Sequence, residues 1–193
     1  INPAFELAYW SWGLKKANDW RERMGRERNA DWDRMADQMA PWPVVNGVYV
    51  EAESVLEKDG GHPTQLAAYG FLPASAYLDK EVMRKTLRHV LDNWDWADTW
   101  GWDFPLIAMT AIRLNEPEWA LEALLKSVQK NTYLPNGHNF QNEGLPLYLP
   151  GNGGLLTVVA MMCAGWDGCT EGNPGFPKNG QWNVKWEGLK PAL

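Results

Sequence analysis

The chain has 193 residues and a mass of 21.9 kDa, with 45% hydrophobic and 22% charged side chains, a composition that supports a buried core and places the chain among globular domains rather than disordered ones. A formal net charge of -6 and a pI near 5.1, with no Lys/Arg stripe, offer little to a phosphate backbone or an anionic lipid surface, so neither nucleic acid nor membrane is an expected partner. The longest uncharged stretch, residues 144–166, is interrupted by proline and glycine and lacks the unbroken apolar run of a spanning helix.

Ile1-Asn2-Pro3 has neither a start methionine nor a signal-peptide pattern, so the chain is expected to begin at a cut or processing point. The first helix is expected from Pro3 to Met24, with Pro3 near its first position and Gly25 as a stop. Leu7, Trp10, Leu14, Ala17 and Met24 form one stripe, and Phe5, Tyr9, Trp12 and Trp20 a second, so this helix should be packed on two sides. Ala30 to Ala40 sets Trp32, Met35, Ala36 and Met39 against Asp31, Asp33, Arg34 and Asp37, the one-sided pattern of an outer helix.

The same alternation recurs along the chain. His62 to Leu72 is free of formal charge, whereas Asp79 to Trp94 is amphipathic. Phe104 to Ile112 is again uncharged, and Asn115-Glu116-Pro117-Glu118 then supplies an expected N-cap, early proline and capping-box glutamate for a further amphipathic helix. Gly154 to Ala164 opens another uncharged helix, and Trp182 to Trp186 alternates as a short strand would. Long links at Pro41 to Gly61, Asn93 to Asp103 and Lys130 to Gly153 all precede inner helices, and a helical solenoid would have shorter and more uniform ones. The expected fold is therefore all-α, an α/α toroid seen as a partial ring of about seven helices with a short β-like C-terminal tail. The long links should gather on one rim, where function concentrates.

Thirteen tryptophans are the compositional outlier, and about half suit core filling. The others stand beside Gly, Asp and Asn in turns, where an indole face can stack on a pyranose while neighbouring carboxylates and amides bond its hydroxyls. The links hold Glu51, Glu53, Asp95, Asp98, Asp103, His138, Asn139, Gln141, Asn142 and Glu143 among Trp42, Tyr49, Trp94, Trp96, Trp100, Trp102, Tyr133 and Phe140. Glycoside hydrolysis requires one carboxylic acid for the leaving oxygen and a second carboxylate as nucleophile or to activate water. His62, His89 and His138 lack a metal-ligand spacing, and neither a metal nor another cofactor is expected. Cys163 and Cys169 leave a local disulfide and two free thiols equally open.

Four segments, NPAFELAYWSWGLKKANDWRERMG, GHPTQLAAYGFLP, TWGWDFPLIAMTAIRLNEPEWALEALL and PGNGGLLTVVAMM, resemble in that order the C-terminal half of six-hairpin glycosidases. The likeness is to inverting 1,2-α-L-fucosidases and, more distantly, to maltose and kojibiose phosphorylases. It implies that residues 1–193 form one domain belonging to the C-terminal portion of a larger catalytic domain. The implied activity is inverting hydrolysis of an α-linked glycan, with glycoside phosphorolysis or non-catalytic carbohydrate binding as alternatives. A carbohydrate substrate and an N-terminal part of the same protein are the implied partners, in a secreted or periplasmic setting rather than the cytoplasm.

The family's general acid is a glutamate before the first matched helix, placing it upstream of Ile1. Its base is an aspartate following a Phe-Gln pair and just before Gly-Asn-Phe-Gly. Phe140-Gln141 is followed here by Asn142-Glu143, with an extra segment before Gly151-Asn152-Gly153-Gly154, so the resemblance leaves two alternatives, Glu143 as the catalytic base or a chain that has lost the base, and Glu143 is the residue expected in that role. Glu53, His62, Trp100, Trp102, Asp103, His138 and Gln141 are the expected substrate-binding residues.

Overall fold

A computed structural model describes residues 1–55 and 60–193, and these residues are mostly helical. Helix α1 (Ala4–Arg23) follows Pro3, and Gly25 beyond its end adopts φ +70°. Helix α2 (Ala30–Asp37) starts where the Asn29 side chain accepts the Asp31 and Trp32 N–H groups. Strands β1 (Val44–Val45) and β2 (Val48–Tyr49) pair antiparallel across Asn46-Gly47, both at positive φ, an Asn-Gly hairpin that matches the twist of its strands.

The uncharged segment from His62 to Leu72 is not one long helix. It forms a 3-10 turn at Thr64–Leu66 and the single turn of α3 (Ala67–Gly70), whose four residues are all buried. A longer side chain at Gly70 has no room, since a Cβ there would lie 2.6 Å from Thr110 Oγ1. Asp79 caps α4 (Lys80–Asn93) by accepting the Glu81 and Val82 N–H groups. Helix α5 (Asp103–Arg113) is buried along its whole length and forms the centre of the core.

The expected cap of α6 (Pro117–Leu124) is corrected. Asn115 sits at φ +61° and ends α5, its N–H donating to Ile112 O, because asparagine tolerates the left-handed conformation that closes a helix. Glu116 takes the cap position without a side-chain cap, and its carboxylate instead pairs with Arg84. Strands β3 (Thr132–Tyr133) and β4 (Asn139–Phe140) form a second hairpin, and α7 (Leu149–Ala164) begins five residues before the expected Gly154. Pro150 is tolerated in its first turn. Gly154 allows close approach, for a Cβ there would meet Pro105 Cγ at 2.6 Å.

Helices α1, α3, α5 and α7 contact one another in that chain order, while α2 lies on α1 and both α4 and α6 lie on α5. The core between them includes Leu66, Met83, Leu87, Phe104, Leu106, Ile107, Met109, Ile112 and Val158. Helix α1 is covered on one side only: Ala4, Ala8, Ser11 and Asn18 are buried, whereas Trp10, Trp20 and Met24 of the expected stripes are exposed. Leu149, Leu156 and Val159 leave a comparable apolar face open on α7.

The tail does not form the expected strand. Residues 182–186 have no pairing partner, and Trp186 Nε1 donates to Asn173 Oδ1 while Trp182 lies against Phe176. The chain end returns through a single bridge between Trp166 and Ala192, and Arg113 donates to Leu193 O and Gly70 O beneath the Trp166 ring. Cys163 and Cys169 are both free thiols. Among the described residues, no helix is long and apolar enough to cross a membrane.

Candidate functional site

The links leading to α3, α5 and α7 meet. In the first, Gly61 turns at φ +72° and its carbonyl accepts the Trp94 indole N–H at 3.0 Å, which seats the backbone just before His62. In the second, Trp100-Gly101-Trp102 turns directly into α5. The Asp103 carboxylate closes this turn by accepting the Trp100 N–H at 2.7 Å, and both of its oxygens lie 3.1 Å from His62 Nδ1.

Asp103 is fully buried, and burial pushes its carboxyl up to about 6; the Trp100 N–H and the neighbouring His62 oppose that rise. An ionised Asp103 can only accept, so Nδ1 of His62 carries the shared proton. The other ring nitrogen, Nε2, is then left for a ligand on a side chain 37% exposed.

Aromatic rings surround the pair. His62 lies 4.8 Å from Trp102 and 6.4 Å from Trp100, Phe71 stacks on the far side of the cluster at 6.4 Å from Trp102, and Tyr148 lies 5.4 Å from Trp100. Trp100 and Trp102 are both partly exposed. Burial raises the Tyr148 phenol, with the Asp103 charge adding to the rise. By contrast Trp42, Tyr49 and Trp94, expected on the rim, are buried core residues.

The third link is tied to the second by two fully buried amides. Gln141 Oε1 accepts the Gly101 N–H at 3.0 Å, and Gln141 Nε2 donates to Lys130 O at 3.1 Å and Asn139 Oδ1 at 2.8 Å. Asn139 Nδ2 donates to Lys130 O and Thr132 O, both at 3.2 Å. A Cβ at Gly101 or Gly151 would fall onto the Asn139 side chain, so glycine at both positions lets the links close on each other. Gln141, expected at the sugar, therefore directs its polar atoms into the protein.

Glu143 is exposed in the turn where Leu145 N–H donates to Asn142 O and Gln141 N–H donates to Leu145 O. His138 lies in the β3–β4 turn, its N–H donating to Asn136 Oδ1. Glu53 is exposed and accepts from Asn2 Nδ2 at 3.0 Å. Among the described residues, no hydrogen bond, ion pair or ring contact joins Glu53, His138 or Glu143 to the His62–Asp103 pair.

Phe71 and Tyr148 belong to the cluster but not to the expected set. Phe71 is in the quoted GFLP run, and an aromatic at a helix boundary beside glycine was the available signal. Tyr148 stands two residues before Pro150, where no spacing rule marks it. Among the described residues, no three or more His, Cys, Asp or Glu side chains are grouped to hold a metal ion. No family model matches this chain, and a search of curated proteins finds no significant match.

Proposed function

We propose that this chain forms one side of the sugar-binding cleft of an inverting glycoside hydrolase, as the C-terminal portion of an α/α toroid. The observation that carries this reading is the convergence of His62, Trp100, Trp102, Asp103 and Tyr148 from three separate links at the approaches to successive inner helices. Partly exposed aromatic rings offer stacking area for a pyranose, and His62 Nε2 offers a hydroxyl partner held in orientation by a buried carboxylate. The open apolar faces of α1 and α7, at the two ends of the inner row, support the toroid, since ring closure would cover both.

Glu143 is assigned the general base, activating a water opposite the leaving group, while the general acid lies upstream. The Gln141 clamp supports this assignment by fixing the segment two residues before Glu143 against Gly101. Incubation of the complete protein with α-linked oligosaccharides, with the product anomer read by NMR before mutarotation, tests the reading. Release of the inverted anomer is expected. Retention of configuration defeats the mechanism, and the absence of both sugar binding and turnover across such a panel defeats the function.

A further inference from the structure

Among the described residues, Lys130 is the one cation whose side chain reaches a ring of the cluster: its ammonium lies 5.0 Å from the Trp100 ring centroid. It makes no ion pair among the described residues, in a chain whose other clustered cations at Arg28, Arg84 and Arg88 are all held by carboxylates. Its backbone is fixed independently. The Lys130 carbonyl accepts from the two fully buried amides, Asn139 and Gln141, and Gln141 is itself bonded to Gly101 beside Trp100. Asp103, the carboxylate of the described cluster, is buried and makes its hydrogen bonds with His62 and the Trp100 N–H, with no ion pair to Lys130 among the described residues.

A lysine over an indole is by itself a common staple. Lys126 provides that comparison within the same segment: its ammonium lies 4.5 Å from Trp96, whose ring stacks on Phe104 rather than facing His62. What distinguishes Lys130 is its place against the His62–Trp100–Tyr148 cluster together with its pinned backbone.

Building on the sugar-cleft reading, we infer that Lys130 is a binding residue for an oxyanion presented at the cleft, either the carboxylate of an acidic sugar or a phosphate beside a neutral one. Trp100 holds the ammonium over its ring, beside His62 and Tyr148, where it would meet an oxyanion carried by a bound sugar. Lysine binds such an anion as a point charge, so recognition should be strongly weakened by salt.

The test compares D-glucuronate with D-glucose, which differ by one carboxylate, and adds inorganic phosphate as a third probe. Titration calorimetry and ligand-observed NMR are applied to the full chain and to the Lys130→Met and Lys126→Met variants, each first checked for an unchanged circular dichroism spectrum. Glucuronate is expected to bind at least about tenfold more tightly than glucose. Lys130→Met should remove that preference, and Lys126→Met should keep it. Binding of phosphate without a glucuronate preference, lost in Lys130→Met alone, assigns the oxyanion to free phosphate and supports the lysine's role. Glucose binding with no response to either anion overturns the inference and leaves the sugar cleft standing. Equal losses in the two variants reduce Lys130 to a staple and overturn it also, and failure of all three probes to bind counts against both readings.

Discussion

His62 and Asp103 are 41 residues apart in sequence, yet Nδ1 of the imidazole lies 3.1 Å from both oxygens of the carboxylate. The pair joins the approach to α3 to the first residue of α5. Asp103 is fully buried and His62 partly open, so the carboxylate orients the imidazole while the ring stays partly accessible.

The first prediction concerns pH and stability. The Asp103 carboxyl titrates near 6 in the fold against 3.8 ordinarily, so between these values the folded chain binds more protons than the unfolded one. Stability should consequently fall as pH rises from about 4 to 6, by on the order of 3 kcal/mol from this group. Asp103→Asn removes the titration and should flatten that part of the profile in urea unfolding at stepped pH. An unchanged slope would show that Asp103 is not the group responsible.

A second prediction tests the clamp. Gly101→Ala places a methyl group against the buried Asn139 and Gln141 amides and should destabilise by about 1–3 kcal/mol through overpacking. Gln141→Ala leaves the Gly101 N–H without its acceptor and should cost a similar amount, about 1–3 kcal/mol. Because both act on one contact, the double variant should lose clearly less than the sum of the two, as measured by denaturant midpoints. Additive losses would mean that the two links are not held through this contact.

The aromatic platform gives a third. Trp100 and Trp102 are partly exposed and flank Gly101, so replacing either by alanine should weaken sugar binding, with little change in melting temperature at Trp100 and a moderate loss at Trp102, which also packs on the core. The contrast is Trp94, buried with its indole N–H bonded to Gly61 O, where alanine should destabilise by about 3–5 kcal/mol. Strong thermal loss at Trp100 and Trp102 with unchanged affinity would place them in the core.

Helix identity was legible where burial follows charge: the uncharged α5 and α3 are buried and α4 and α6 are amphipathic, whereas the uncharged α7 departs from this by keeping Leu149, Leu156 and Val159 exposed. Lengths were less legible. Pro63 and Pro73 bracket a run that reads as helix, yet only seven residues from Thr64 to Gly70 coil, in two different helical forms. The Asn46-Gly47 turn between Val44-Val45 and Val48-Tyr49 is a strong hairpin signal that the helical alternation obscured. At the site, His62, Trp100, Trp102 and Asp103 could be named from their positions before uncharged helices. The internal direction of Gln141 could not, because a glutamine's exposure depends on which backbone groups the fold leaves unpaired, here Gly101 N–H and Lys130 O.

The last prediction concerns the chemistry. Glu143 follows the clamped Gln141, is exposed, and has Asn142 beside it to orient a water or a sugar hydroxyl. As the proposed base, its carboxyl should stand roughly 6.5–9.5 Å from that of the general acid, leaving room for the attacking water. Glu143→Gln keeps the shape and removes the base, so turnover should fall about 10²- to 10⁴-fold while sugar affinity and melting temperature are retained. Asp103→Asn and Glu53→Gln are the necessary comparisons. Asp103 acts on His62, so its loss should appear mainly as weaker binding, and Glu53, bonded to Asn2, should matter little. Added azide can replace the attacking water of an inverting enzyme that has lost its base, so partial rescue of Glu143→Gln by azide, with an inverted glycosyl azide as product, would identify the missing step. Near-normal turnover in Glu143→Gln together with abolished turnover in Asp103→Asn transfers the base role to Asp103 or to the imidazole that it orients.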